Sequence, residues 1–88
     1  MLQYKGNNRG TSLINGEQHF ILHSTSIVIL KSKSIVLNNG GYFSRTSKKA
    51  LNEVGDMLGF QVYQEKFNWF VKYNGEVLEF NNGMELTK

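Results

Sequence analysis

Apolar residues occur in short alternating runs along most of this chain, a pattern that predicts β-strands on both sides of a single helix. Before the helix, residues 19–23 and 26–31 read as short strands. Residues 34–38 repeat the pattern of residues 26–30 almost position for position. We therefore expect two adjacent strands joined by a hairpin turn at residues 31–33.

The helix is predicted over residues 47–58. Apolar side chains recur there at helical spacing: Ala50, Leu51, Val54, Met57 and Leu58. Thr46 or Ser47 can act as the N-cap, and Gly59 suits a left-handed C-terminal stop. Gly55 costs about 1 kcal/mol relative to alanine inside a helix, which indicates close packing at that point. The polar residues are expected to face solvent: Lys48, Asn52, Glu53 and Asp56.

The last third of the chain predicts a three-stranded meander over residues 60–66, 69–73 and 76–80. Asn74-Gly75 is the strongest hairpin signal, because a type I′ turn needs positive φ at both central residues. The Asn- and Gly-rich residues 1–17 favour an irregular N-terminal arm, or a weak strand at residues 2–4. Residues 18–88 then form a single α+β domain, in which one helix covers a mostly antiparallel sheet with two to three strands before the helix.

Composition narrows the class of protein. A chain of 88 residues has room for one small core. It contains no cysteine, which excludes disulfides and thiolate zinc sites. It also has no run of about 20 apolar residues that could cross a membrane. We expect a soluble protein inside the cell, with no membrane partner.

Charge is unevenly distributed along the chain. Residues 1–52 carry seven Lys or Arg and one acid, a net charge of +6, whereas residues 53–88 carry three Lys and six acids, a net charge of −3. Residues 18–52 contain no acid at all. Two interpretations stay open at this point. The cations form either an ordinary solvated surface or a basic patch for an acidic partner, nucleic acid included.

The segment 37–52 holds the candidate site. It leads from a strand to the helix through Gly40-Gly41 and then places three hydroxyls and three cations around the first turn. A helix N-terminus already carries roughly half a positive charge, so cations lie where acids are preferred, and a docked anion explains them. The glycines also suit a plain turn, and the hydroxyls suit capping. The candidate anion- or partner-binding residues are Gly40, Gly41, Tyr42, Ser44, Arg45, Thr46, Lys48 and Lys49.

Parts of this segment resemble a family of short tailed-bacteriophage proteins without an assigned activity. The family motif reads Leu-Asn-x-Gly-Gly-aromatic, then Thr-x-Lys-Lys/Arg and Asn, followed by a Trp-aromatic-Val strand. Matching positions fall within residues 30–84: Leu37, Asn38, Gly40, Gly41, Thr46, Lys48, Lys49, Asn52, Gln64, Trp69 and Val71. Tyr42 replaces the usual Trp. The resemblance implies a viral origin and an accessory role in the cytoplasm of the host cell, with no inherited activity.

Catalytic arrangements are absent from the sequence pattern. His19 and His23, on one strand, lie about 13 Å apart, too far to share a metal ion. No Gly-x-Ser-x-Gly elbow or P-loop occurs, and Glu76 and Glu79 fall on opposite strand faces. We therefore expect no enzyme, no metal and no cofactor.

Three functions stay open. The first is a phage protein that binds and inhibits or redirects a host macromolecule, such as a nucleic-acid-handling defence protein, in the manner of anti-CRISPR proteins. The second is direct, sequence-nonspecific nucleic-acid binding, with Phe43 and Phe67 as the best candidates for exposed stacking residues. The third, weaker option is a sponge for a phosphorylated small molecule. The oligomeric state is not readable from the sequence.

Overall fold

Four strands precede and four follow one helix in the part of the chain that this computed structural model describes, residues 9–40 and 44–87. The elements follow in the order β1 (Arg9–Ile14), β2 (Glu17–Leu22), β3 (Thr25–Leu30), β4 (Ser34–Leu37), α1 (Arg45–Leu58), β5 (Phe60–Glu65), β6 (Asn68–Tyr73), β7 (Glu76–Glu79) and β8 (Met84–Thr87). Some predictions lie outside the described residues: the weak strand at 2–4, and Gly41, Tyr42 and Phe43.

The strands form two antiparallel sheets and not the single sheet that we expected. Sheet A has the order β1-β2-β3-β4-β8, and sheet B is the predicted meander β5-β6-β7. The chain returns to sheet A because β8 pairs with β4, placing Met84 opposite Leu37 and Leu86 opposite Ile35. Leu86 is buried there, so the return strand completes the core. The α+β class is confirmed.

Tight turns set the strand pairing. Asn74-Gly75 joins β6 to β7 with φ values of 51° and 79°, as the type I′ prediction requires. The β3–β4 turn also lies where it was predicted, and the Lys31 N–H donates to the Ser34 carbonyl over 2.9 Å.

The irregular arm predicted for residues 1–17 is wrong for its second half, because residues 9–14 form strand β1. Asn15-Gly16 joins β1 to β2 with φ values of 51° and 80°, the same turn geometry as Asn74-Gly75. The alternation in β1 is weak, since the residues opposite the buried Leu22 and Phe20 of β2 are Arg9 and Thr11, polar side chains at positions where apolar residues usually mark the inward face.

The core lies between helix α1 and the inner faces of both sheets. Trp69 and Phe80 pack edge to face there, with ring centroids 5.6 Å apart. Among residues 9–40 and 44–87, fifteen apolar side chains are buried: Phe20, Leu22, Ile27, Val28, Ile35, Leu37, Ala50, Leu51, Val54, Phe60, Val62, Trp69, Val71, Phe80 and Leu86. All five apolar positions predicted for the helix contact this core, either within it or packed against it.

Helix α1 also runs along strand β5, at one edge of sheet B. The Asn52 side chain donates to the Val62 carbonyl over 2.8 Å and accepts from the Val62 N–H over 2.7 Å. Asn52 thus pairs with the strand edge in place of a neighbouring strand, and its predicted solvent-facing position is wrong. One turn later, a Cβ at Gly55 would overlap the Phe60 carbonyl oxygen, which confirms the predicted close packing.

Candidate functional site

The helix begins two residues earlier than predicted, and its N-cap is Ser44 rather than Thr46 or Ser47. Ser44 has extended backbone angles (φ −109°, ψ 161°), and its hydroxyl accepts from the Ser47 N–H over 3.2 Å. Arg45 is therefore the first helical residue. At the other end, Gly59 takes the predicted left-handed conformation, with φ of 92°.

The loop that leads into the helix is held by asparagine side chains. The Asn38 side-chain oxygen accepts from the Gly40 N–H, and the Asn82 side-chain oxygen accepts from the Asn39 N–H, both over 2.8 Å. The Gly83 N–H donates to the Leu37 carbonyl over 2.8 Å. Gly40 has φ of 66°, which favours glycine. The structure therefore assigns Gly40 to a turn that positions the helix.

Lys48 faces sheet B. Its ammonium donates to the Gln64 side-chain oxygen over 3.2 Å and lies 5.8 Å from the centroid of the Trp69 ring. Because Lys48, Gln64 and Trp69 all belong to the motif quoted above, these motif positions form one contact between the helix and sheet B. The Lys48 ammonium thus already has partners among the described residues, unlike the charged groups of Arg45 and Lys49.

Arg45 and Lys49 lie four residues apart on one face of the helix, and both are exposed. Neither side chain makes an ion pair or a hydrogen bond to any described residue. No acid lies in the first helical turn. We call the exposed side chains Ser44, Arg45, Thr46 and Lys49 the helix-start surface. These are four of the eight predicted site residues, of which Gly41 and Tyr42 lie outside the described part of the chain.

A cleft of about 430 Å³ lies next to the helix-start surface, between the helix and the β2–β3 turn, and it is lined by apolar side chains, Leu22 and Ile27, as well as by polar ones. Sequence reasoning missed the turn side of this cleft, since no motif connects residues 23–25 with the helix. The polar residues that line the cleft are His23, Ser24, Thr25, Asn39, Ser44, Thr46 and Ser47. Most of them carry hydroxyls, so the cleft offers many hydrogen-bond donors and acceptors.

The other basic residues of the acid-free segment lie elsewhere. Lys31 and Lys33 flank the β3–β4 turn, whereas the helix follows the opposite end of β4, at Leu37. Their separation is at least the length of that strand, about 10 Å at 3.3 Å per residue. The run of cations in the sequence therefore divides into two groups at opposite ends of sheet A.

The histidines do not lie on one strand, contrary to the prediction, because β2 ends at Leu22. His23 lies in the β2–β3 turn with φ of 59°, and His19, on β2, is 3.0 Å from the Ser26 hydroxyl. Within the described residues, no group of three His, Cys, Asp or Glu side chains could hold a metal ion.

Of the two aromatic residues expected to be exposed, Phe67 is 95% exposed, at the tip of the β5–β6 hairpin. Tyr63 and Phe70 stack on the outer face of sheet B, with centroids 5.7 Å apart. Trp69, Phe60 and Phe80 belong to the core. Most of the described aromatic side chains thus stabilise the fold, and Phe67 alone among these six projects fully into solvent.

A protein-family model described as Kyanoviridae Gp96 protein matches residues 3–87, nearly the whole chain. No curated protein and no solved structure matches the chain. Among the described helical residues, none forms a helix long and apolar enough to traverse a bilayer.

Proposed function

Because the chain belongs to the Kyanoviridae Gp96 family of phage proteins, we propose that it is a non-enzymatic accessory protein that binds and inhibits or redirects a host macromolecule in the host cytoplasm. The favoured partner is a host protein with an acidic surface, such as one that handles nucleic acid. The observation that carries this proposal is the exposed pair Arg45 and Lys49 at the start of the helix, without an acid in the first turn.

The placement of Arg45 at the first helical position costs stability. The helix N-terminus is electropositive, and a like charge in the first turn is unfavourable by several tenths of a kcal/mol. A carboxylate from a partner offsets this unfavourable energy, because it interacts favourably with the helix dipole and with the side chains of both Arg45 and Lys49. Thr46 adds an exposed hydroxyl that can donate a hydrogen bond to the same carboxylate, whereas the Ser44 hydroxyl already donates to the Ser47 hydroxyl oxygen over 3.1 Å.

The distribution of charge favours a compact acidic partner over a long polyanion. Arg45 and Lys49 are followed on the same helix by Glu53 and Asp56, and Lys31 and Lys33 lie at the far end of sheet A. A nucleic acid needs a continuous series of cations to neutralise its phosphates. Here acidic residues and distance interrupt the series, whereas a carboxylate cluster on a protein needs only one small basic surface.

The matched test uses two charge-reversal variants. Arg45→Glu/Lys49→Glu removes the helix-start cations, and Lys31→Glu/Lys33→Glu makes the same charge change at the other end of sheet A. Tagged wild-type protein and both variants are used to capture partners from host lysate, and bound proteins are identified by mass spectrometry. We expect both wild type and the Lys31/Lys33 variant to capture the same host protein. The Arg45/Lys49 variant should fail to capture it. If all three proteins capture the same host protein equally well, the helix-start surface is not the binding site.

Direct nucleic-acid binding is the alternative, supported by Phe67 and by the net charge of +3. A labelled single-stranded or duplex oligonucleotide tests it in gel-shift experiments at low and at physiological salt. Binding that weakens steeply with salt, and that both charge-reversal variants reduce, favours nucleic acid. If no oligonucleotide shifts at low salt, the alternative fails.

The weaker alternative, a sponge for a phosphorylated small molecule, would use the hydroxyl-lined cleft beside the helix. Native mass spectrometry of protein purified from infected cells tests it directly. A retained small ligand supports this alternative, and a mass equal to that of the bare chain counts against it.

A further inference from the structure

The edges of the two sheets differ in how well they are protected from pairing with another strand. Along β5, the Asn52 side chain occupies the Val62 backbone groups. Strand β7 begins and ends with glutamate, and β8 is only four residues long and contains Glu85. Charged side chains and short length are the usual means of protecting an edge strand.

Strand β1 has none of these features. It spans six residues, Arg9–Ile14, and its one charged residue is engaged inside the protein, because Arg9 pairs with Glu53 on helix α1 over 3.1 Å. Its pairing with β2 is regular from end to end. Leu13 and Ile14 are 71% and 43% exposed, the two apolar side chains of the strand. Such an edge presents unpaired backbone groups beside exposed apolar surface.

The turn between β1 and β2 shows which backbone groups face outward. In a two-residue hairpin the pair next to the turn, here Ile14 and Glu17, is hydrogen-bonded, and bonded pairs alternate with non-bonded pairs. The N–H and C=O groups of Thr11 and Leu13 therefore point away from β2. Within residues 9–40 and 44–87 no strand pairs with them on that side, so they can pair with a strand of another chain.

We propose that β1 pairs antiparallel with β1 of a second copy of this chain, so that the two A sheets join into one continuous sheet. The strand that pairs with β1 comes from a second copy of the chain because two β1 strands can pair with each other symmetrically. Two registers, centred on Thr11 or on Ser12, align backbone groups and keep equivalent faces together. In either register, no two like charges meet across the described residues.

Each register covers exposed apolar surface. The register centred on Ser12 places Ile14 opposite Gly10 of the second copy, where an added Cβ meets nothing within 4 Å. It also places Leu13 opposite Thr11. The register centred on Thr11 places Leu13 against the stem of Arg9, which is only 12% exposed and held by Glu53. Cross-strand pairs of this kind stabilise antiparallel sheets.

This pairing is independent of the proposed function but has a consequence for it. A two-fold axis perpendicular to the sheet keeps both helices on the same side of the joined sheet. The helix-start surfaces then lie on that side at opposite ends, because each is near the Arg9 end of its own β1. A dimer offers two equivalent surfaces to its partner.

The absence of cysteine from the chain allows a direct test. Thr11→Cys and Ser12→Cys are prepared as full-length single-cysteine variants, with Val77→Cys on the exposed edge strand β7 as the matched control. Opposed residues in antiparallel strands lie about 4.5 to 5.5 Å apart between Cα atoms, within reach of a disulfide. Under mild oxidation we expect one of the two β1 variants to form a covalent dimer much faster than the control. Crosslinking of neither β1 variant above the control overturns the proposal.

Sedimentation of the unmodified chain over a concentration series provides the second measurement. Thr11→Pro removes an outward N–H and leaves the β1–β2 hydrogen bonds in place, and Leu13→Lys adds a charge to the edge. We expect wild type to dimerise reversibly and each variant to raise the dissociation constant at least about tenfold, with an unchanged circular dichroism spectrum. A wild-type chain that stays monomeric throughout, or folded variants that dimerise as tightly as wild type, overturns the proposal.

Discussion

Two groups of polar residues on helix α1 have similar chemistry but different surroundings. One group contacts sheet B, and the other lies in solvent. On one side, Lys48, Asn52 and Gly55 contact strand β5 and Trp69. On the other side, Arg45 and Lys49 are exposed and make no described ion pair or hydrogen bond. Neighbouring polar residues in one segment thus divide between attaching the helix to sheet B and presenting charge to solvent. Substitutions on the two sides are expected to separate stability from binding.

The largest effect is expected at Gly55. In Gly55→Ala the new Cβ overlaps the Phe60 backbone carbonyl and lies 2.9 Å from Cδ1 of the ring, so the helix has to move away from β5. We expect a loss of about 3 kcal/mol in the free energy of unfolding, although alanine favours the helix itself. Chemical denaturation measures it. Asp56→Ala, on the exposed side of the same turn, is the control and is expected to be neutral or slightly stabilising.

Asn52→Ala tests the contact with the strand edge. It removes two hydrogen bonds and leaves both Val62 backbone groups without those partners. We expect a loss of roughly 2 kcal/mol, because unsatisfied backbone groups in a partly buried position are costly. The thermal midpoint should fall by about 8 to 16 °C, on a scale of 4 to 8 °C per kcal/mol for a domain of this size. A shift below about 2 °C in the melting curve contradicts this role.

Ser44→Ala tests the start of the helix, which both sides share. It removes the hydroxyl that accepts from the Ser47 N–H. We expect a loss of about 1 kcal/mol by denaturation, a usual cost for an N-cap serine. Thr46→Ala is the control, because its side chain follows the cap and is exposed. If Thr46→Ala costs more than Ser44→Ala, the helix begins elsewhere.

Lys48 and Lys49 provide the closest comparison, since they are adjacent lysines that project about 100° apart around the helix, one toward Trp69 and the other into solvent. Lys48→Met removes the hydrogen bond to Gln64 and the cation from the Trp69 ring, for a loss of about 0.5 to 1 kcal/mol. Because Trp69 is the one tryptophan in the chain, its fluorescence reports the change directly. We expect altered emission in Lys48→Met and unchanged emission in Lys49→Met. The same emission shift in both variants contradicts the conclusion that only Lys48 contacts Trp69.

The smallest effect on stability is expected for Arg45→Glu/Lys49→Glu. Acids near a helix N-terminus interact favourably with the dipole, so the free energy of unfolding should stay level or rise by some tenths of a kcal/mol. Denaturation at low and at high salt measures it, since the gain is screened by salt. If the free energy of unfolding falls by more than about 1 kcal/mol, these side chains stabilise the fold, and the proposal that they serve partner binding loses its support.

Local signals in the sequence determined much of the secondary structure. The helical spacing of Leu51 and Val54, the left-handed stop at Gly59 and the Asn74-Gly75 turn each depend on conformational preferences within a few residues. The exposed side chains of the helix start, Ser44, Arg45, Thr46 and Lys49, also belong to the segment that the sequence singled out as a candidate site. Where the local signal was ambiguous, as in β1, the prediction failed even though Asn15-Gly16 repeats the same turn.

Only the tertiary structure decided which of these residues meet. Two sheets form in place of one because β8 returns to β4 across more than forty residues, and no local preference encodes that pairing. Lys48 and Lys49 look alike in the sequence, yet the helix rotation set by core packing turns one toward Trp69 and the other toward solvent. The cleft between the β2–β3 turn and the helix exists for the same reason. Burial of apolar surface is optimised over the whole chain, so it determines long-range neighbours that periodicity alone does not.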